Sequence, residues 1–251
     1  MKTSRWFLYD ELLETTSSSA LVKRVAFGSF WVMLESDEGG IGLAYNYPVP
    51  SGQVVGDRFD VVGWPLRKAA DLIKSWDFKL ASLGLAALNA SNNAKVLTPG
   101  TSLSEAKEKA EGDAFDFFLP LTVGKKVAVI GHFPYLHKLR DLAQVIVLER
   151  NPQPGDLPDP AAEYLLPEQD FVYITGTAFI NKTITRLLEL SRQAVVCLVG
   201  PSVPMNPLLF KHGVKSLSGL VAPEYEPLAE ALKDPECEYI FKYGVKVNLV
   251  S

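Results

Sequence analysis

Hydrophobic and polar positions follow two different patterns along the chain. Near the start, residues 6–14 predict a short helix, and the apolar runs 22–36 and 40–49 flank the turn sequence Asp37-Glu38-Gly39-Gly40, which predicts a hairpin. Pro65 is expected to open a helix, because apolar residues then recur at helical spacing: Leu66, Ala69, Ala70, Ile73 and Trp76. Residues 78–90 are almost wholly apolar and predict a buried helix. This part of the chain is expected to be an α+β unit.

A polar stretch, residues 91–113, separates this pattern from a second one. It contains the break Thr98-Pro99-Gly100 and a candidate exposed helix at residues 102–111. Beyond it, apolar strand-like runs alternate with helical runs, which predicts a Rossmann-like parallel sheet that begins with residues 125–131. The placement of the closing run, residues 237–250, stays open. We therefore predict an α/β protein with two domains, residues 1–95 and 96–251.

Composition narrows the classes of function. The chain has 251 residues, 47% of them hydrophobic, and a net charge of −4. It therefore lacks the positive electrostatic field that would attract nucleic acids or anionic membranes. No apolar run approaches the roughly 20 residues of a membrane-spanning helix. Acidic residues near the start interrupt any signal-peptide core, so a cytoplasmic location is expected. The two cysteines and three histidines lack the spacing of a zinc site, and we expect no tightly bound zinc or iron.

Unusual residues cluster where the predicted parallel strands end, which is where open parallel sheets bind their ligands. Four turns of small or polar residues follow buried strands: Gly131-His132-Phe133-Pro134, Glu149-Arg150, Thr175-Gly176-Thr177 and Gly200-Pro201-Ser202. Gly131 follows its strand as the first glycine of a dinucleotide loop would, but the other two glycines are missing, which disfavours NAD. Glu149 lies 18 residues further on, near the usual position of a ribose-binding acid.

The run TGTAFINKTITRLL, residues 175–188, predicts a helix N-terminus after a strand. Free N–H groups there favour a carboxylate or phosphate, and Thr175, Thr177 and Asn181 could add donors; plain capping by Thr or Asn is the alternative. His132 is a candidate acid, base or ligand, although the sequence shows no partner for it. Asn89 either caps a helix or points into a cleft between the domains.

Five motifs together resemble the putative heavy-metal-chelation family over nearly the whole chain: LGLAALNA, VAVIGHFP, VLER, TGTAFINKTITRLL and GPSVPMNPLLFKHGV. The resemblance implies a domain like the enolase N-terminal domain, a Rossmann-like domain partly similar to methyltransferases, and a site between them. The family motifs fall on Asn89, Gly131, Phe133, Pro134, Glu149, Thr175, Gly176, Thr177, Asn181, Thr183, Gly200, Pro201 and Pro204. These overlap the residues chosen at the strand ends.

Two classes of function remain open. In the first, an enzyme, a transferase or hydrolase, condenses, hydrolyses or modifies a pterin-, flavin- or siderophore-like metabolite, with His132 and Glu149 as candidate catalytic residues. In the second, the protein binds a metal or metal chelate without catalysis. We prefer the enzyme, because clustered soft ligands are missing from the sequence. The expected partner is a small-molecule ligand or metal chelate, and S-adenosylmethionine or another nucleoside-like ligand would suit a site without a phosphate loop. Homo-oligomerisation is left open.

Overall fold

A computed structural model describes residues 5–47, 60–96, 114–133, 136–237 and 239–251. Pro134 and the candidate helix at 102–111 lie outside these residues. The N-terminal unit, residues 5–96, contains an antiparallel sheet of three strands in the order β1-β2-β3, with helices packed beside it. Its elements are α1 (Phe7–Glu14), β1 (Val22–Phe27), β2 (Trp31–Ser36), β3 (Ile41–Tyr45), α2 (Leu66–Ala70), a 3₁₀ turn (Asp71–Lys74) and α3 (Phe78–Asn93).

The predicted hairpin is confirmed, since β2 and β3 pair antiparallel across the turn at residues 37–40. Three details of the expected pattern were wrong. The run 22–36 holds two strands, not one, because the chain reverses after Phe27. Helix α2 ends at Ala70, so its periodicity does not reach Trp76, which is 70% exposed. Helix α3 continues to Asn93, and the first residues of the supposed linker are therefore helical and buried.

The C-terminal unit, residues 114–251, is built on a seven-stranded sheet with the order β10-β9-β8-β7-β4-β5-β6. The strands are β4 (Lys126–Ile130), β5 (Gln144–Glu149), β6 (Leu157–Pro158), β7 (Phe171–Thr175), β8 (Val195–Val199), β9 (Val214–Val221) and β10 (Val245–Val250). Strands β4 to β9 pair parallel, as the alternating pattern predicts, and β10 closes the edge antiparallel to β9. The α/β fold class is confirmed.

Short helices connect these strands: α4 (Ala114–Phe118), α5 (His137–Arg140), α6 (Ala162–Leu165), α7 (Ile184–Leu190) and α8 (Tyr225–Ala231). A 3₁₀ helix, Pro207–His212, follows β8, and the Asn206 side chain caps it by accepting the N–H of Leu208. No helix in the described parts of the chain combines the length and apolar character needed to cross a membrane. The boundary at residues 95 and 96 stays a prediction.

Strands β2 and β3 of the small sheet are buried on both faces, which explains their largely apolar sequence. Every residue of β2 is buried, although an antiparallel hairpin usually leaves one face to water. One face belongs to a core shared with α3. On the other face, Trp31, Met33 and Leu43 share a cluster with Leu220 and Tyr225 of the C-terminal unit. The two units are therefore packed through a common apolar layer.

Close backbone contacts hold α3 against its neighbours. A Cβ atom at Gly84 would lie 2.0 Å from the backbone nitrogen of Ile73, and one at Gly42 would lie 1.9 Å from the carbonyl oxygen of Ala86. Backbone atoms cannot move aside as a flexible side chain could. Glycine is required at both positions because of space.

Gly84→Ala should therefore lower the free energy of unfolding by about 2–3 kcal/mol, because overpacking costs more than the roughly 1 kcal/mol that alanine gains in a helix. Denaturant unfolding measures this. Lys79→Ala, at an exposed position of the same helix, is the control and should change stability by less than about 0.5 kcal/mol. Equal stabilities of the two variants would contradict the close packing of α3.

Candidate functional site

The order of strands reverses between β4 and β7, which pair with each other while the chain first runs outward through β5 and β6. Such a switch point is where open parallel sheets bind ligands. Gly131 follows β4 with a φ of 102°, a left-handed conformation that favours glycine. A Cβ at this position would also lie 3.1 Å from the Cβ of Thr175, which ends β7. Two predicted site residues, Gly131 and Thr175, therefore meet at the switch point.

The ring of Phe133 lies over this point. A Cβ at Gly131 would be 3.5 Å from one edge of the ring, and a Cβ at Gly200 would be 3.9 Å from the other. The ring therefore reaches from the end of β4 to the end of β8. If Gly131 is counted as the first glycine of GxGxxG, Phe133 takes the position of the second, where a dinucleotide fold needs its backbone free to approach pyrophosphate. A bulky ring at that position leaves no pyrophosphate cradle of the usual kind.

The predicted helix after β7 is divided into two pieces. A 3₁₀ turn covers Gly176–Phe179, and α7 begins only at Ile184. Thr175 caps the first piece: its Oγ1 accepts the N–H of Thr177 and lies 3.1 Å from the Thr177 hydroxyl. The Oδ1 of Asn181 accepts both the N–H and the hydroxyl of Thr183, at 3.2 and 2.7 Å. These two hydrogen bonds use the oxygen of Asn181 and leave its Nδ2 as a donor.

Glu149 ends β5 and turns back on its own chain. Its Oε1 accepts the backbone N–H groups of Arg150 and Asn151, at 2.8 and 3.2 Å. Its Oε2 has no hydrogen-bond partner in the part of the chain that the structure describes. The carboxylate is thus held in place by one oxygen while the other stays available to a ligand hydroxyl.

His132 has a partner that the sequence did not reveal. Its Nδ1 lies 3.2 Å from Oδ2 of Asp156, whose carboxyl group is 1% exposed and also accepts the N–H of Gln153. The His132 side chain is 41% exposed. Asp156 lies in an irregular loop just before β6, so no periodic pattern marked it as a neighbour of the β4 end. The arrangement can orient the imidazole with Nε2 directed outward.

Asn89 lies between the two units, which decides between the alternatives left open by the sequence. It is buried in the middle of α3 and caps nothing; its Nδ2 donates to the carbonyls of Leu43 at 2.8 Å and Ser202 at 3.2 Å. The Ser202 hydroxyl accepts the N–H of Tyr45. Gly176 packs against the same segment, because a Cβ there would lie 2.5 Å from the backbone of Ser202. Asn89 and Gly176 thus position the loop after β8.

The remaining predicted residues, Gly200, Pro201 and Pro204, lie in the loop after β8. Pro201 is partly buried after Gly200, which has a φ of 104°, and Pro204 is buried three residues later. The structure gives these prolines no polar contact that would bind a ligand directly, since proline lacks an N–H donor. Their fixed φ stiffens the loop that carries Ser202.

A row of side chains that sequence reasoning missed crosses the junction of the units. The Arg150 guanidinium donates to Asp159 at 3.1 Å and to the Tyr47 hydroxyl at 3.4 Å. Tyr47 packs edge-on against Phe78, with ring centroids 5.1 Å apart. The Lys182 ammonium lies 5.6 Å from the centroid of the Phe78 ring. Only its positive charge beside predicted site residues could have marked Lys182 in the sequence.

Metal-binding side chains do not converge in the described residues, where no three or more His, Cys, Asp and Glu groups could hold an ion together. Cys197 lies in the core beneath the sheet ends, and burial raises the pKa of its thiol to about 12. A thiol with that pKa does not supply the thiolate that soft metals prefer. Cys197 is therefore a core residue.

Two family models match the chain, at residues 9–92 and 113–251, and both are described as putative heavy-metal chelation. The chain belongs to this family. A family protein of unknown function from Desulfitobacterium hafniense DCB-2 is 35% identical, with 98% of both chains covered and a TM-score of 0.85. One from Pyrococcus horikoshii, 22% identical, covers 100% of both chains with a TM-score of 0.79 and shares the fold. An uncharacterized protein of Methanocaldococcus jannaschii is 29% identical over 76% of this chain and 74% of its own.

Family membership directs attention to the junction of the units, because both matched segments contribute to it. Asn89 from the first segment donates to Ser202 of the second, and Tyr47 contacts Arg150.

Asn89→Asp tests this junction, since a carboxylate would face the two carbonyl oxygens of Leu43 and Ser202 without a proton to donate. We expect a loss of about 3 kcal/mol or more at neutral pH. Burial against carbonyls raises the folded-state pKa of the new carboxyl, so the penalty should shrink towards pH 4, where the protonated acid can donate again. Thermal melts across pH measure it, with the exposed Asn151→Asp as control. A pH-independent effect would contradict the contact.

Proposed function

We propose that the protein is an enzyme for a small polar metabolite, acting where the carboxyl ends of β4, β5, β7 and β8 meet the N-terminal unit. The metabolite class is pterin-, flavin- or siderophore-like, and the reaction is a condensation, hydrolysis or other modification that depends on proton transfer. The observation that carries the proposal is the pair formed by His132 and the buried carboxyl of Asp156.

This pair has the arrangement of a general acid–base group. A carboxylate that accepts a hydrogen bond from Nδ1–H fixes the imidazole tautomer and leaves Nε2 to take or give a proton. Asp156 is suited to this role because its side chain is 1% exposed and a second hydrogen bond, from the N–H of Gln153, holds it.

The neighbouring groups support a ligand with hydroxyls and a planar ring. Glu149 offers one carboxylate oxygen to hydroxyl hydrogens, and charge-assisted bonds of this kind contribute about 1.5–3 kcal/mol each. Tyr47 and Phe78 offer aromatic surface near Arg150. S-adenosylmethionine or another nucleoside-like ligand fits this set of groups, and NAD is disfavoured because Phe133 stands at the second glycine position.

Binding of a metal or metal chelate without catalysis is the second candidate, favoured by the description of both family models. An anionic chelate would suit the cations Arg150 and Lys182 better than a bare metal ion would. Elemental analysis together with mass spectrometry of small molecules retained by the gently purified protein separates the two candidates. A stoichiometric metal that survives dialysis would favour chelation.

Asp156→Asn should abolish at least 99% of the turnover, because the amide no longer stabilises a protonated imidazole and can hold the wrong tautomer. Wild type and variants are incubated with a library of pterins, flavins, siderophore precursors and nucleosides, and products are followed by mass spectrometry. His132→Gln should lose the same conversions, and the exposed His137→Gln should keep them. Conversions that persist in both site variants would exclude the pair from catalysis.

Glu149→Gln should weaken binding of the ligand found in this screen about tenfold or more, with little loss of thermal stability. The variant keeps an oxygen for the N–H groups of Arg150 and Asn151 and removes the charge offered to the ligand. Calorimetric titration measures the affinity, starting with S-adenosylmethionine and pterins. Glu168→Gln, a surface acid paired with Lys126, is the control. Unchanged affinity would mean that Glu149 only shapes its loop.

A further inference from the structure

Lys182 is held in an unusual backbone conformation. Its φ is 68°, and among the described residues it is the one non-glycine residue with a positive φ. A left-handed lysine is strained relative to glycine, and such positions persist where the surroundings fix them. Here α7 begins two residues later, and the Asn181 side chain accepts the N–H of Thr183 just before that helix, so the backbone around Lys182 is fixed.

Within the described residues, the Lys182 ammonium meets no acidic side chain. Its Nζ donates to the carbonyl of Ile180 at 2.6 Å and lies 5.6 Å from the centroid of the Phe78 ring. No ion pair of Lys182 occurs within the described ranges. Burial lowers the pKa of its amine to about 8. A partly buried ammonium that meets only a carbonyl and a ring is incompletely compensated, and an anion supplied by a ligand would compensate it.

Phe78, whose ring faces the Lys182 ammonium, stands between two charged residues of the chain. Asp77 and Lys79 stand at the start of α3, and the Asp77 carboxylate accepts two N–H groups of its own helix, from Lys79 and Leu80. Arg150 is reached through Tyr47, on the far side of the aromatic pair. Beside Lys182, Asn181 keeps Nδ2 as a further donor, because its Oδ1 accepts from Thr183.

We propose that Lys182 binds an oxyanion, a carboxylate or phosphoryl group, of the metabolite whose hydroxyls contact Glu149, with the Tyr47–Phe78 pair between the two ends. This inference rests on the proposed function for the location of the metabolite. It differs from a helix N-terminal anion site, because the charge comes from a side chain. The substrate class is thereby narrowed to metabolites that carry an anionic group.

Sulfate and malonate are the probes, since both are dianions across the range tested and they represent phosphoryl and dicarboxylate groups. With lysine labelled at ¹³Cε, the Lys182 signal is assigned by its loss in Lys182→Met and titrated from about pH 7 to 10. Either probe should move the titration midpoint upward, because a bound anion favours the protonated amine. Midpoints unchanged by both probes at 100 mM would overturn the proposal.

Affinity gives an independent measurement. Binding of the effective probe to wild type should fall about tenfold between pH 7 and pH 9, because the amine loses its proton across that range. Lys182→Arg should bind at pH 7 and lose this pH dependence, since arginine stays charged. Lys182→Met should bind at least tenfold more weakly at pH 7. Lys68→Met is the matched control, as its Nζ lies over the exposed ring side of Trp64, 3.9 Å from the centroid, and it should behave as wild type.

The outcomes separate this inference from the proposed function. If His132→Gln abolishes turnover while Lys182→Met and wild type share the same KM and probe affinity, the enzyme proposal stands and the anion site is wrong. If Lys182 binds the probes but no conversion depends on His132, the anion site stands and the proposed role of His132 in catalysis is wrong.

Discussion

The structure depends on the burial of the small antiparallel sheet on both of its faces. Helix α3 covers one face so closely that its backbone meets Gly42, and the C-terminal unit covers the other through Leu220 and Tyr225. Separation of the units would expose the apolar layer on β2 and β3 to water, at a cost of roughly 25 cal/mol for each Å². Separation would also break the hydrogen bond that Asn89 donates to the Ser202 carbonyl. The N-terminal unit is therefore fixed relative to the large sheet. Burial on both faces also explains why the sequences of β2 and β3 are largely apolar.

The candidate site inherits its geometry from this packing. The loop after β8 is positioned from both sides, because the Ser202 carbonyl accepts from Asn89 while its backbone touches Gly176. The loop after β5 reaches the N-terminal unit through Arg150 and Tyr47. Further contacts away from the site, such as His212 with Glu11 at 2.7 Å, fix the same orientation. A junction held at several points keeps the side chains around it in fixed relative positions, which is what catalysis or tight binding of a small molecule requires.

The sequence predicted the parts of the fold that follow local periodicity. The parallel strands, their polar ends and the positions of Gly131 and Glu149 come directly from apolar runs and the glycine or acid that follows each one. It failed where tertiary contacts decide: Trp76 continues a helical pattern that the chain abandons after Ala70. Asp156 comes from an irregular loop, and only the folded sheet brings it to His132. Lys182 stands out because it is partly buried and has a positive φ, and neither property can be recognised in a single sequence.

Strand β4, which leads into Gly131, resembles the first strand of a dinucleotide fold. The residues after Gly131 differ from a phosphate loop, and this difference has a physical consequence. A phosphate loop binds anions with backbone N–H groups, which need glycines so that the ligand can approach. Here the Phe133 ring occupies the second glycine position, and the turn after β7 is a short 3₁₀ segment capped by Thr175. Backbone groups at the switch point are thus poorly placed to hold a phosphate. Side chains must supply the positive charge for any anionic ligand. The charge of Arg150 is already partly compensated by its ion pair with Asp159. Lys182 is then the cation whose charge is least compensated within the described site, and this is the physical basis of the anion site proposed for it.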